Sequence, residues 1–297
     1  MLWVGIDTGG TFTDLVAYDS ETGKLISLKT PSTPDDHALG VITAVKETGF
    51  NLSKITGFSH GTTVATNTAL EQKGAKLGII TTRGYRDVLV IGRGNRAQLY
   101  DITAVRPPGI VQREHVMEID ERSTVDGLIH THLNEDQVAA ACTYFLSEGI
   151  EAVAVCFLHA YANSQHEQRA AKIVQKLMPS AYVCTSNEIL PEYREFERFS
   201  TTALNAFVAP RTGRYLTELA TNLASSGLNA PVRVMASNGG TWPAARMAER
   251  PVNALLSGPA GGVIAATVLS EALNIHDIIT YDMGGTSTDA CMIRNGT

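Results

Sequence analysis

Apolar and polar positions along the chain predict a succession of strands and helices. The run "LWVGID" and the segment after it, "TFTDLVAYD", read as two strands joined by a glycine pair. Thr33, Pro34, Asp35 and Asp36 then supply an N-cap, a proline at the first helical position and two first-turn acids. The helix they start should carry Ala38, Val41, Ile42 and Val45 on one face and stop at Gly49. "ITGFSHG" at 55–61 predicts a strand, "TTVATNTALEQKG" a helix and "LGIITT" at 77–82 a further strand, a β-α-β rhythm. From Arg83 to about Arg122 the periodicity weakens around Pro107, Pro108 and Gly109, which predicts an irregular excursion over the surface.

The rhythm then resumes. Asn134 with Gln137 reads as a capping box for a helix to Gly149, "EAVAVCFL" as a buried strand, and Ser164 with Glu167 as the start of a helix ending before Pro179. A helical stretch from Pro191 to about Ser225 should be interrupted near Pro210. Strand "VRVMAS", turn "NGGT" and the Gly/Ala-rich helix "PAGGVIAATVLSEAL" follow, with Ser257 as N-cap before Pro259.

One octet occurs twice. Asp-x-Gly-Gly-Thr-x-Thr-Asp begins at Asp7 and again at Asp282, each time between apolar runs. A strand delivers an aspartate, two glycines turn the chain, and Thr-x-Thr-Asp begins the returning strand. Adjacent glycines bring backbone N–H groups close to a ligand and threonine hydroxyls add donors, which suits phosphate. An aspartate beside phosphate is repelled unless a divalent cation stands between them, so Asp7 and Asp282 imply Mg²⁺ held mostly through water. Neither copy is a Walker A loop, because the Gly-Lys-Ser/Thr ending is missing. "GRGNRA" at 92–97 mimics a dinucleotide fingerprint but leads into "QLYDITAVRPP", not an apolar helix.

Composition narrows the function classes. With 297 residues and 44% hydrophobic content the chain can bury a sizeable core, and two compact units are expected. A formal charge of -6 offers no cationic face, which argues against nucleic acid. No apolar run is long enough to span a bilayer and no secretory signal opens the chain. Cys142, Cys156, Cys184 and Cys291 are scattered, which predicts reduced, packed thiols in a cytoplasmic protein.

The paired hairpins resemble the two phosphate motifs of the actin-like, sugar-kinase and heat-shock-chaperone ATPase superfamily. The helix "PAGGVIAATVLSEAL" is similar to that superfamily's first connecting helix. More narrowly, "GIDTGGTFTD", "HGTTVATNTALEQKGAKLGIITTRGYRDVLVIGRG", "EAVAVCFLHAYANSQHE", "PEYREFERFSTTALNAFVAP", "ASNGGT", "SGPAGGV" and "YDMGGTSTD" resemble the hydantoinase A, 5-oxoprolinase and acetone carboxylase family. The resemblance implies an α/β, actin-like (ribonuclease H-like) ATPase lobe with an α/β insertion and a second lobe only begun. It divides the chain into 1–82, the first part of lobe I; 83–190, the excursion and insertion; 191–278, the remainder of lobe I; and 279–297, the start of lobe II. Family members continue through a complete second lobe, so an N-terminal portion is expected.

The activity implied is ATP-dependent opening of a cyclic amide, with a second, hydantoinase B-like subunit completing the hydrolytic site. A ketone carboxylase subunit and a non-enzymatic actin-like scaffold are the alternatives. Asp7 and Asp282 are expected to organise Mg²⁺ and polarised water. Thr8, Gly9, Gly10, Thr11 and Thr13 should lie on one side of the ATP phosphates, and Gly284, Gly285, Thr286 and Thr288 on the other. Asp14 and Asp289 either join that site or fix the hairpins through backbone bonds. His60, Thr62 and Thr63, at a strand-to-helix turn, are candidates to face the substrate, with a packed His60 and an ordinary N-cap as the alternative. Asn238 either lines the cleft or belongs to a simple turn. Arg83, Arg86, Arg93 and Arg96 either meet an anionic group or stand solvated on a loop. His130 and His132 share a strand face without a third ligand, so no metal site is expected there.

Overall fold

The computed structural model describes residues 1–9, 12–31, 37–95, 100–101, 103, 109–283 and 288–295. In chain order the elements are β1 (Leu2–Thr8), β2 (Phe12–Asp19), β3 (Lys24–Pro31), α1 (His37–Glu47), β4 (Ile55–Thr62), α2 (Val64–Leu70), β5 (Leu77–Thr82), α3 (Val88–Ile91), β6 (Val116–Ile119), β7 (Arg122–Ser123) and β8 (Ile129–Thr131). There follow α4 (Glu135–Ser147), β9 (Ala152–Cys156), α5 (Gln165–Leu177), β10 (Tyr182–Thr185), α6 (Ser186–Ile189), α7 (Glu195–Ser225), β11 (Val232–Met235), β12 (Thr241–Pro243), α8 (Ala244–Glu249), α9 (Ser257–Leu273), β13 (Ile278–Met283) and β14 (Thr288–Ile293). The chain forms two compact units, one of residues 1–68 with 211–297 and one of residues 69–210.

The first unit is built on a six-stranded sheet of order β12-β11-β4-β1-β2-β3. β1, β2 and β3 form an antiparallel meander, whereas β4 runs parallel to β1 and β11 parallel to β4. Alternation along β1 and β2 sends Val4, Ile6, Leu15 and Ala17 into the core. There they join Val41, Ala44 and Val45 of α1 and Leu216, Leu219 and Leu223 of α7. In sequence the second unit lies between the two parts of the first. β13 and β14 form a separate antiparallel hairpin that packs against α9. That hairpin and α9 expose Val268, Leu269, Leu273, Ile279, Tyr281, Met283 and Met292.

The second unit holds a parallel sheet of order β10-β9-β5-β6. Every residue of β5 and β9 is buried, which is why β9 reads as an unbroken apolar run and β5 as one up to its two closing threonines. Val138, Cys142 and Phe145 of α4 and Ala170 and Val174 of α5 pack with this sheet's apolar side chains.

The predicted strands at 55–61 and 77–82, the buried strand after Glu151 and the helices of residues 37–47 and 135–147 are all present. The cap expected at 33–36 lies outside the described residues. Five expectations need correction. The excursion after Arg83 contains a genuine sheet strand, β6, whose four residues are too few to show periodicity. Pro210 does not interrupt α7, because buried Ala206, Phe207 and Val208 before it and Leu216 and Leu219 after it hold the helix through the missing hydrogen bond. Ser164 makes no side-chain cap; Asn163 Oδ1 accepts the Gln165 N–H instead, and Glu167 is buried rather than reaching back. Ser257 is the first residue of α9 and donates to the Thr62 carbonyl at 3.3 Å, while Leu256, with φ of 57°, precedes the helix. At α4 the Asn134 side chain does accept the Gln137 N–H, but the Gln137 side chain pairs with Asp120 instead of closing the box.

All four cysteines are free thiols; Cys142, Cys156 and Cys184 are buried and Cys291 is half-buried. Burial pushes the Cys142 thiol up to about 11 and the Cys184 thiol up to about 12. No helix among the described residues is long and apolar enough to cross a membrane.

Candidate functional site: two matched aspartate hairpins

The register of the central sheet sets the site. Asp7 at the end of β1 lies opposite Asp14 of β2 and alongside Gly61 of β4, and Asp14 lies opposite Lys29 of β3. Gly61, Asp7, Asp14 and Lys29 therefore form one row across four strands. The next row toward the turn is Thr62, Thr8, Thr13 and Thr30, and all four threonines are buried. Among the described residues the Thr8 Oγ1 is buried without a hydrogen-bond partner. Its carbonyl accepts the Thr63 N–H at 3.4 Å and the Thr63 hydroxyl at 3.3 Å, tying the end of β1 to the start of α2.

The second hairpin repeats this plan. Asp282 faces Asp289 across β13 and β14 as Asp7 faces Asp14, and Met283 faces Thr288 as Thr8 faces Thr13. Thus the sequence repeat is also a repeat of strand register. Gly10, Thr11, Gly284, Gly285 and Thr286 lie outside the described residues, whereas Gly9 donates its N–H to the Phe12 carbonyl at 3.0 Å.

Like charges placed directly across a strand pair repel. Lys29 Nζ, 3.1 Å from the Asp14 carboxylate, offsets part of that charge. Asp7 has no such cation among its perturbing neighbours. Its carboxyl is raised above the ordinary aspartate value, first by crowding at the strand end, then by Asp14, then by Asp282. The residue keeps solvent-exposed surface, so the crowding is one-sided. Asp282 of the second hairpin is thus among the charges that act on Asp7. Asp7 also lies over a neighbour that sequence reasoning missed. A Cβ on Gly61 would sit 2.5 Å from Asp7 Oδ1, so glycine at this register position leaves room for the carboxylate. The signal was present in "HGTT", read only as a turn.

His60 is fully buried, with Nδ1 3.3 Å from the Ile6 carbonyl and Nε2 2.6 Å from the Tyr215 hydroxyl. Both ring nitrogens are engaged. Thr62 Oγ1 accepts the Val64 N–H at 3.2 Å at the strand-to-helix turn. Asn238 is exposed at the tip between β11 and β12, where its Oδ1 accepts the Gly240 N–H; this is the simple turn. Arg83 pairs with Asp120, Arg86 stands 3.7 Å from Glu118, and Arg93 pairs with Glu197; Arg96 lies outside the described residues. Among the described residues no group of three or more His, Cys, Asp or Glu is placed to hold a metal ion directly, which includes His130 and His132.

Models of two family regions match the chain: the hydantoinase/oxoprolinase N-terminal region over residues 3–178 and hydantoinase/oxoprolinase over residues 198–297. This chain belongs to the hydantoinase/oxoprolinase family. An uncharacterized protein of Methanocaldococcus jannaschii is 39% identical over 297 residues, covering 99% of this chain and 44% of the relative. Caprolactamase subunit alpha of Pseudomonas jessenii is 36% identical over 303 residues, covering 99% of this chain and 43% of the relative. The nucleotide-free structure of acetone carboxylase, from work on ATP-dependent acetone carboxylation, superposes with a TM-score of 0.89 at 30% identity, over 99% of this chain and 44% of that one. The hydantoinase/oxoprolinase chain described here therefore spans less than half the length of the relatives it matches, and its mixed α/β fold corresponds to their N-terminal parts.

Proposed function

We propose that the paired hairpins hold the phosphates of ATP, and that the chain is part of an enzyme that uses ATP to open a cyclic amide such as a hydantoin, 5-oxoproline or a related lactam. The observation that carries this reading is the matched register of Asp7 with Asp14 and Asp282 with Asp289, together with the influence of Asp282 on Asp7. Two facing turns with clustered carboxylates suit a polyphosphate accompanied by a divalent cation. Asp7 and Asp282 would hold Mg²⁺ chiefly through water, which fits both the uncompensated charge at Asp7 and the lack of a three-residue ligand set among the described residues. When bound, the ion would neutralise charge on the transferring phosphoryl group.

An amide carbonyl is a weak electrophile because nitrogen density feeds into it. Transfer of the γ-phosphoryl group to the amide oxygen, with ADP leaving, makes the ring carbon open to water; the C–N bond of the water adduct then breaks as the nitrogen takes a proton, leaving an acyl phosphate that a second water hydrolyses to carboxylate and phosphate. Positioning and charge stabilisation do most of the work in such a transfer. The likeness to a caprolactamase subunit supports the cyclic amide, and its designation as subunit alpha supports a second subunit. A ketone carboxylase is the second reading, favoured by the superposition on acetone carboxylase.

The test uses the full-length protein with its co-purifying partner, supplied with Mg·ATP and each of caprolactam, hydantoin, 5-oxoproline and acetone. Ring-opened product formed in step with ADP, without bicarbonate, is the expected result. Carboxylated product that needs bicarbonate would replace it with the second reading, and ATP turnover insensitive to every small molecule would overturn both.

A further inference from the structure

Two of the segments that carry the family resemblance are not used by the hairpin site: "RGYRDVLVIGRG" and "PEYREFERFSTTALNAFVAP". Within the second unit they meet. Leu89 and Val90 from the first, Phe196, Ser200 and Ala203 of α7 from the second, and Ile110, Val111 and Val116 between them line a cavity of about 280 Å³. An apolar cavity of about 150 Å³ accepts benzene, so this one has room for a compact body of about ten non-hydrogen atoms.

Two arginines, Arg86 and Arg113, complete the lining. Arg113 is held by Asp87 through two hydrogen bonds of 2.6 and 2.8 Å, and is thereby fixed in place. Arg86 is different. It stands 3.7 Å from Glu118, beyond hydrogen-bond length, and its buried Nε has no acceptor among the described residues. Neither Asp87 nor Glu118 belongs to the lining, so among the described residues the charged side chains of the lining are donors only. A buried guanidinium N–H without a partner favours a guest that brings an oxygen acceptor, most of all an anionic one. Ser200 Oγ spends its proton on the Glu197 carbonyl at 3.1 Å, so it adds no hydroxyl donor to compete for the guest. We propose that this cavity is a binding site for a small monocarboxylate with a compact apolar body, its carboxylate on Arg86 and its body against Leu89, Ile110 and Phe196. The assignment does not depend on the hairpin reading.

The probe is 4-bromobenzoate, titrated into the full chain by calorimetry, with 4-bromobenzylamine as a same-shape cation. Saturable binding of the carboxylate and none of the amine is expected. Arg86→Met, which keeps the apolar stem, should weaken binding at least tenfold, and Ser200→Leu should abolish it by filling the cavity. Bromine anomalous scattering from crystals of the unaltered protein gives a readout that needs no variant, and should place the halogen beside Phe196. Lack of saturable binding at millimolar concentration, equal binding of the amine, affinity unchanged in both variants, or bromine located elsewhere would each overturn the proposal.

Discussion

At the scale of single residues, the Asp7 carboxyl carries a cost in stability. A carboxyl raised above its ordinary value binds its proton more tightly folded than unfolded. The native state therefore loses stability as pH rises from the ordinary aspartate value through the raised one, and carries that loss at neutral pH. Asp7→Asn should raise the melting temperature at pH 7 while cutting ATP turnover of the intact enzyme by about a hundredfold or more, the scale seen when a charge-stabilising group is lost. A variant that melts lower and turns over normally would remove Asp7 from the site. Gly61→Ala tests the same carboxylate from beneath. The new methyl would sit 2.5 Å from Oδ1 and force the carboxylate aside. Turnover should fall about tenfold or more with the circular dichroism spectrum unchanged, because misplacement of about 1 Å at a reacting centre can cost two orders of magnitude.

At the scale of elements, Glu167 shows how one buried side chain ties several together. Its carboxylate accepts from the Phe157 N–H at 2.8 Å, the Ser186 hydroxyl at 2.6 Å and the Asn187 N–H at 2.9 Å, joining the end of β9 to α6. Burial outweighs these donors and raises the group from 4.5 to about 7. The unfolded chain gives up this proton near 4.5 and the folded chain near 7, so stability falls as pH rises across that interval and levels off above it. Urea midpoints measured between pH 5 and 8 should show this slope, and Glu167→Gln should flatten it. Sequence had assigned Glu167 to a helix cap; nothing in "NSQHE" announces that its carboxylate turns inward to three donors. The same limit explains what else was legible. Helices with sustained periodicity, such as α1 and α4, were readable because solvent and core select opposite faces over many residues. β6 was not, being four residues long, and the continuity of α7 across Pro210 depends on packing that no local pattern encodes. Within the candidate site the repeated octet announced the paired aspartates, but the row joining Gly61, Asp7, Asp14 and Lys29 arises from register between strands distant in sequence.

At the scale of the whole molecule, the surface of α9 and the second hairpin is the outlier. Val268, Leu269, Ile279, Tyr281, Met283 and Met292 are each more than half exposed, more apolar surface in one region than a solvated face needs. The 297-residue chain should therefore bind 8-anilinonaphthalene-1-sulfonate and self-associate as its concentration rises. Val268→Ser with Ile279→Thr should lower both the dye fluorescence and the sedimentation coefficient at high concentration; dye binding unaffected by the pair would place the sticky surface elsewhere. The thiols offer a way to watch this region directly. Three of them are sealed in the interior, and Cys291 is half-buried on β14, two positions beyond Asp289. A maleimide dye added to the native protein should thus attach at a single strand of the second hairpin, giving a built-in test of the proposed nucleotide binding without any engineered cysteine.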